Sequence, residues 1–181
     1  MQRTQFVFRL GNRSTQNKSK FSIAVALFYL PALFLVRFGC LHAGPQTTPS
    51  PNVDQISAII NELRTQLQMS QDVHVTVAPN DRMVSVERVS DVGMFIMCFD
   101  ERFLADLDSD ELRAAIAHEL GHVWIFSHHP YLQTEALANE VAMRAVTRES
   151  LEKVYKKLWT HLGTSGNLDE LLGPDGVQAR R

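Results

Sequence analysis

Residues 115–124 carry two histidines and a glutamate in an otherwise uncharged run, Ala115-Ile116-Ala117-His118-Glu119-Leu120-Gly121-His122-Val123-Trp124. An α-helix turns about 400° over four residues, so the imidazoles of His118 and His122 would leave the same face one turn apart. Two neutral imidazoles in that arrangement can share one zinc ion at bond lengths of about 2.0–2.1 Å. The spacing therefore predicts a metal-binding helix.

Glu119 lies about 100° around that helix from His118, too far round to bind a metal on the same face. It can reach the side of the metal where a water molecule would bind, and take a proton from that water. This pattern is the signature of zinc metalloproteases. The alternative is a solvated helix face with incidental histidines. The uncharged flanks disfavour it, because they predict a buried helix, in which unpaired polar side chains are costly.

A catalytic zinc site has three protein ligands and one open position, so one further ligand is expected. Glu135 lies 13 residues after His122, on the next predicted helix. A helical hairpin would bring Glu135 back over the histidine pair. Asn139, one turn later, is a candidate to hydrogen-bond the second ring nitrogen of a ligand histidine.

His128 is an alternative third ligand. It stands ten residues after His118, the spacing of the longer metzincin pattern. That pattern has a glycine where this chain has Ile125, and a β-branched residue is poorly suited to a sharp exit from a helix. Glu140 is a further acidic candidate. The sequence therefore favours Glu135 and leaves the other two open.

Helices are predicted on both sides of the motif. Asp108 and Glu111 have the form of a capping box, which predicts a helix from there to about Phe126. Pro130 fits the first turn of a second helix, which would run to about Val146. A last helix carries an apolar stripe over residues 151–162 and ends at Gly163.

The residues before the motif predict one helix and three strands. Residues 52–69 have a helical apolar stripe, with Asn52 as its cap. Strands are expected at 73–77, 83–89 and 93–99, and the third is apolar nearly throughout. The predicted fold class is α+β: a small antiparallel sheet packed against a zinc-binding helix and further helices. This domain would span residues 52–163, followed by a flexible tail at 164–181.

The N-terminal residues 1–43 have the pattern of a targeting segment. They contain six basic residues and no acid, and residues 21–36 are almost wholly apolar. Such a segment predicts either a signal peptide cleaved after Ala43 or an N-terminal membrane anchor. Residues 44–51 contain three prolines and read as a linker. We therefore expect a catalytic domain outside the cytoplasm, either exported or associated with a membrane through residues 21–36.

The charge distribution disfavours nucleic-acid binding. All 20 acids follow residue 43, with only 12 of the 18 basic residues, so this part has a net charge of −8. A nucleic-acid-binding domain needs a basic face to neutralise phosphates. The expected partner is instead a peptide or protein substrate.

The motif also resembles a known family. Residues 103–122, followed by Glu135 and Asn139, are similar to gluzincin peptidases of the M48 (Ste24/HtpX-like) type. The resemblance implies a zincin-like fold, with His118, His122 and Glu135 as zinc ligands and Glu119 as the base. It also implies that substrate pairs with an edge strand, for which residues 93–99 are the candidate. Asn139 stands where the family usually has aspartate, and the interval from His122 to Glu135 is short for the family.

The function predicted from these features is peptide-bond hydrolysis by a zinc-dependent (Zn2+) metalloendopeptidase. Tyr131, His129 and Arg148 are within sequence reach as donors to the transition state. The alternative is a non-catalytic zinc domain for interaction or regulation, with a closed site in which His128 and Glu135 both bind. A third hypothesis is an assembly factor whose groove binds peptides without cutting them.

Overall fold

The computed structural model describes residues 51–89 and 93–174. The expected signal or anchor at 1–43, with its apolar run at 21–36, and linker residues 44–50 lie outside the described residues. Within the described ranges, no helix combines the length and the apolar character needed to span a membrane. The domain boundaries and the location of the protein thus stay predictions from sequence.

The described residues form six helices and three strands. In chain order they are α1 (Val53–Gln66), β1 (Asp72–Val77), β2 (Val84–Arg88), β3 (Met94–Phe99), α2 (Glu101–Asp106), α3 (Ser109–His128), α4 (Glu135–Ala142), α5 (Arg148–Leu162) and α6 (Leu168–Leu172). The predicted α+β class is confirmed.

The sheet is mixed, with strand order β1-β3-β2. β3 pairs in parallel with β1 and antiparallel with β2. The prediction of a wholly antiparallel sheet was therefore wrong for one of the two pairs. The most apolar strand takes the centre: Phe95, Met97 and Phe99 on one face are fully buried, and the residues of the other face are partly buried.

This strand order also corrects the expected substrate strand. β3 has a hydrogen-bonded strand on each side, so it offers no edge to a substrate backbone. The edge strands are β1 and β2. β2 is the one that packs against α3, the helix that carries the histidine motif.

Local capping explains where the helices begin. Asn52 and Gln55 form a capping box at the start of α1, and Asp108 and Glu111 form the predicted one at the start of α3. The short helix α2 was not predicted; Asp100 caps it, accepting hydrogen bonds from the backbone of Arg102 and Phe103.

Two predicted boundaries differ from the structure. The second helix begins at Glu135 rather than at Pro130, because the hydroxyl of Thr134 accepts a hydrogen bond from Leu137 N and caps α4 there. Residues 164–174 were expected to belong to a flexible tail. They include α6, which buries Leu172, while residues 175–181 lie outside the described ranges.

Helix α3 lies at the centre of the domain and packs against α1, α4, α5 and β2. Its residues 114–123 are all buried, including both histidines and Glu119. This part of the helix is buried on all sides, which agrees with the uncharged residues that flank the motif in the sequence. The polar side chains of a buried helix need partners inside the protein. The two histidines and Glu119 must therefore find theirs within the domain.

Candidate metal centre

The two motif histidines point their rings at a common position. His118 and His122 are 3% and 6% exposed, and their Nε2 atoms lie 3.2 Å apart. This is the geometry expected for side chains four residues apart on one helix.

Glu135 joins the pair from the first turn of α4. One carboxylate oxygen, Oε2, lies 3.2 Å from His118 Nε2, and the other, Oε1, lies 3.6 Å from His122 Nε2. The helices approach closely because residue 121 is glycine: a Cβ there would clash with the Ala138 backbone. His118, His122 and Glu135 therefore form a candidate metal site in the described part of the chain.

The arrangement fits a tetrahedral metal ion. Ligand atoms about 2.0–2.1 Å from a shared tetrahedral ion stand about 3.3 Å apart. The two Nε2 atoms are 3.2 Å apart, and the Glu135 carboxylate approaches each of them with a different oxygen, at 3.2 and 3.6 Å. Glu135 Oε2 is buried, and apart from the contact with His118 Nε2 at 3.2 Å the described residues give it no hydrogen-bond partner. A buried carboxylate oxygen of this kind is costly unless a cation lies beside it. The donor set of two imidazoles and one carboxylate suits zinc.

Asn139 fixes the tautomer of His118. Asn139 Oδ1 lies 2.7 Å from His118 Nδ1, and Asn139 Nδ2 donates to the carbonyl oxygen of Leu171 at 3.0 Å. A carbonyl only accepts, so the amide nitrogen must face Leu171 and the amide oxygen must face the imidazole. Nδ1 of His118 therefore carries the proton and Nε2 presents a lone pair to the site.

His122 has a second amide partner that the sequence analysis missed. Gln133 Oε1 lies 3.3 Å from His122 Nδ1, and Gln133 Nε2 donates to the His122 backbone carbonyl at 3.4 Å. Gln133 lies in the α3–α4 loop, where no periodic pattern marks a functional side chain. Its position two residues before the candidate ligand Glu135 was the only available signal.

Glu119 is buried beside the three candidate ligands. The backbone N–H of Val86 in β2 donates a hydrogen bond to its carboxylate. Its other polar atom, Oε1, is buried without a hydrogen-bond partner in residues 51–89 and 93–174. Burial raises the pKa of Glu119 above its ordinary value, against the lowering effect of the two histidines. Burial thus favours the protonated form of this carboxylate.

The charges of the candidate ligands favour a cation at the position that they share. Burial alone would raise the pKa of Glu135, but the two imidazoles lower it to about 2. Burial would lower the pKa of His122, but Glu135 and Glu119 raise it. Without a metal, the buried negative charge thus favours a proton on His122, so a divalent cation would compete with protons for this position.

The other sequence candidates lie outside this group. His128 ends α3, where its Nδ1 lies 2.8 Å from the Trp124 carbonyl and its ring stacks on Trp124. Tyr131 is 98% exposed, and Arg148 donates to the carbonyls of Leu172 and Gly173. His129 and Glu140 are also exposed.

Comparison with known proteins adds one distant likeness. No protein-family model matches the chain, and no curated protein does. Among solved structures, the chain is similar to the zymogen of the metallopeptidase abylysin from Pyrococcus abyssi, at 18% sequence identity and a TM-score of 0.44. The alignment covers 62% of this chain and 99% of that one. So distant a likeness carries no conclusion about activity, which must rest on the site itself.

Proposed function

We propose that this protein is a zinc-dependent metallopeptidase of the gluzincin type. The observation that carries the proposal is the site itself: two imidazole Nε2 atoms 3.2 Å apart, each within 3.6 Å of an oxygen of the Glu135 carboxylate, beside a buried Glu119 oxygen that lacks a hydrogen-bond partner. His118, His122 and Glu135 would hold the zinc ion. Zinc, when bound, lowers the pKa of a water molecule and polarises the scissile carbonyl.

Glu119 is the general base in this proposal. It accepts a proton from the attacking water on Oε1 and passes that proton to the amine that leaves. A general base works best when its pKa is close to the working pH, and burial shifts the pKa of Glu119 upward, toward that range. The Val86 N–H holds the carboxylate in place while Oε1 stays available.

The proposed substrate is an extended peptide that lies along β2. Alternate residues of an edge strand direct their backbone groups away from the sheet, and a peptide can pair with them as an added strand. Val86 N–H already points away from β3, toward Glu119. Because Glu119 already uses the Val86 N–H, a peptide beside β2 would pair with other outward backbone groups of the strand, close to the base.

The location in this proposal follows from sequence alone. Residues 1–43 would export the domain or anchor it, so its substrates would be peptides or proteins outside the cytoplasm. Residues 21–36 would supply the membrane association.

A non-catalytic zinc domain is the competing function. It predicts a closed site with four protein ligands. In the described ranges, the group has three members, and His128 is not one of them. A binding domain would also have no use for a buried Glu119 carboxylate with one oxygen, Oε1, left without a hydrogen-bond partner. Both observations support the enzyme.

The test is metal analysis and peptide cleavage on the full chain, wild type beside Glu119→Gln. We expect about one zinc per chain in both, and a fall in kcat/KM for a fluorogenic peptide library of roughly 10²–10⁴-fold in the variant. The matched control is Glu140→Gln, an exposed residue of α4. A zinc-loaded wild type that cleaves no peptide would favour the binding domain. Undiminished cleavage by Glu119→Gln would exclude Glu119 as the base.

A further inference from the structure

Asn139 is fully buried, and each of its side-chain polar atoms has a partner. Oδ1 faces His118 Nδ1 at 2.7 Å, while Nδ2 donates to Tyr155 Oη at 2.8 Å and to the Leu171 carbonyl at 3.0 Å. An amide offers two N–H donors and one carbonyl acceptor. The three contacts use both donors, and the remaining atom accepts from the imidazole.

We propose that Asn139 is a positioning residue that has to be a carboxamide, and that α6 supports the metal centre through the Leu171 carbonyl. This inference rests on the proposed metal site at His118. Beyond that site, α6 acquires a role in holding His118, and the link between them has to be an amide.

A carboxylate of the same shape cannot replace the amide. At neutral pH, an aspartate at position 139 would put an acceptor oxygen where Nδ2 now stands, 3.0 Å from the Leu171 carbonyl oxygen. Two acceptors at that distance repel, and position 139 has no access to solvent that would screen them. The side chain or α6 would have to move, and the imidazole of His118 would lose its fixed orientation.

A second contact explains why α6 can serve as a support. Arg148, at the start of α5, donates from Nη1 to the carbonyls of Leu172 and Gly173 at 2.8 and 2.7 Å. These carbonyls directly follow the one that Asn139 contacts, and the Leu172 side chain is buried. The Arg148 guanidinium therefore holds the two residues that follow Leu171, and with them the position of the Leu171 carbonyl.

The experiment compares zinc affinity with stability in the full chain. Zinc affinity is measured by competition with a chromogenic chelator, and stability by thermal unfolding of the metal-free protein. The variants are Asn139→Asp and Arg148→Gln, with Asn61→Asp on the exposed face of α1 as the matched control. Loss of a residue that orients a metal ligand typically lowers metal affinity roughly 10–100-fold. We expect a loss in that range for Asn139→Asp, a smaller loss for Arg148→Gln, and no change for the control.

A merely structural role would lower the melting temperature and leave zinc affinity unchanged in the molecules that stay folded. That result, or wild-type zinc affinity in Asn139→Asp, would overturn the inference. If Asn139→Asp does not fold, Tyr155→Phe removes one acceptor of the amide and should still lower zinc affinity. Unchanged affinity in Tyr155→Phe would then count against the inference. A wild type without zinc would instead overturn the proposed function itself.

Discussion

Gly121 in α3 lies directly against Ala138 in α4: a Cβ on Gly121 would stand 2.9 Å from the Ala138 carbonyl carbon and closer still to its oxygen. Backbone atoms cannot yield as a flexible side chain can. The close approach of these two residues sets the distance between the helix that carries the histidines and the helix that carries Glu135 and Asn139.

Gly121→Ala should therefore separate α3 from α4 and disrupt the metal site. We expect a loss of about 1–3 kcal/mol in the free energy of unfolding from overpacking, together with loss of zinc. Chemical denaturation and metal analysis measure the two effects.

The control for this variant is Gly163→Ala. Gly163 ends α5 at a φ of 63°, which is strained for alanine and costs about 1 kcal/mol or more, but a Cβ there meets no other atom. This control should lose stability and keep zinc. Retention of full zinc affinity in Gly121→Ala would contradict the spacing argument.

Glu135→Ala should abolish zinc binding, while His128→Ala should leave it intact. Glu135 Oε2 lies 3.2 Å from His118 Nε2, whereas His128 is occupied with Trp124 at the end of α3. Metal analysis after dialysis, with about one zinc per chain expected for wild type, measures the difference. The opposite pattern, zinc lost with His128→Ala and kept with Glu135→Ala, would indicate a metzincin-like site.

Gln133→Ala should weaken zinc binding by less than the loss of Asn139 does. The Gln133–His122 contact is 3.3 Å long and only partly buried, whereas the Asn139–His118 contact is 2.7 Å and buried. We expect an effect at or below the lower end of the roughly 10–100-fold range for such residues. Chelator competition measures it, with Gln66→Ala on the exposed face of α1 as control. A larger loss than with Asn139→Asp would reverse the ranking of the two amides.

Asp100→Asn should reduce stability at neutral pH and have no effect in strong acid. The Arg102 side chain and the backbone N–H groups around Asp100 hold its pKa at about 2, below the usual 3.8, although burial opposes them. A lowered pKa means that the carboxylate stabilises the fold above pH 3.8 and that this stabilisation is lost as the pH falls to about 2. Because Arg102 is largely exposed, solvent screening limits the effect to about 1 kcal/mol.

Urea unfolding at a series of pH values tests this prediction. The difference between wild type and Asp100→Asn should be constant above pH 5, fall as the pH approaches 2 and vanish below it. Asp81→Asn, at an exposed turn residue, is the control. A difference that persists unchanged to pH 2 would show that the charge of Asp100 does not contribute.

Features with a local cause could be predicted from sequence. The helical period alone places His118 and His122 on one face, and the Asp108 capping box marks where α3 starts. The short interval to Glu135 limits the following segment to a hairpin. These relationships involve residues close in sequence, so propensity and periodicity are sufficient to find them.

Features that depend on distant contacts were missed. The position of β3 between β1 and β2 depends on which strand is most apolar on both faces, and not on the order of the strands in the chain. The contact between Asn139 and the Leu171 carbonyl could not be predicted from sequence, because every residue type has a backbone carbonyl. Gln133 lies in a loop, and α6 is a five-residue helix whose burial depends on α4 and α5.

The order β1-β3-β2 has a consequence for how the chain folds as it is synthesised. Within residues 51–89 and 93–174, β1 and β2 pair only with β3, so neither has a strand partner there until β3 has emerged. The α3–α4 hairpin, in contrast, needs only contacts between near neighbours in sequence. Local contacts form faster than the long-range closure of a parallel strand pair. In the nascent chain, β1 and β2 would therefore stay unpaired until Phe99 has left the ribosome. Binding by a chaperone in this period would protect the unpaired strands from aggregation.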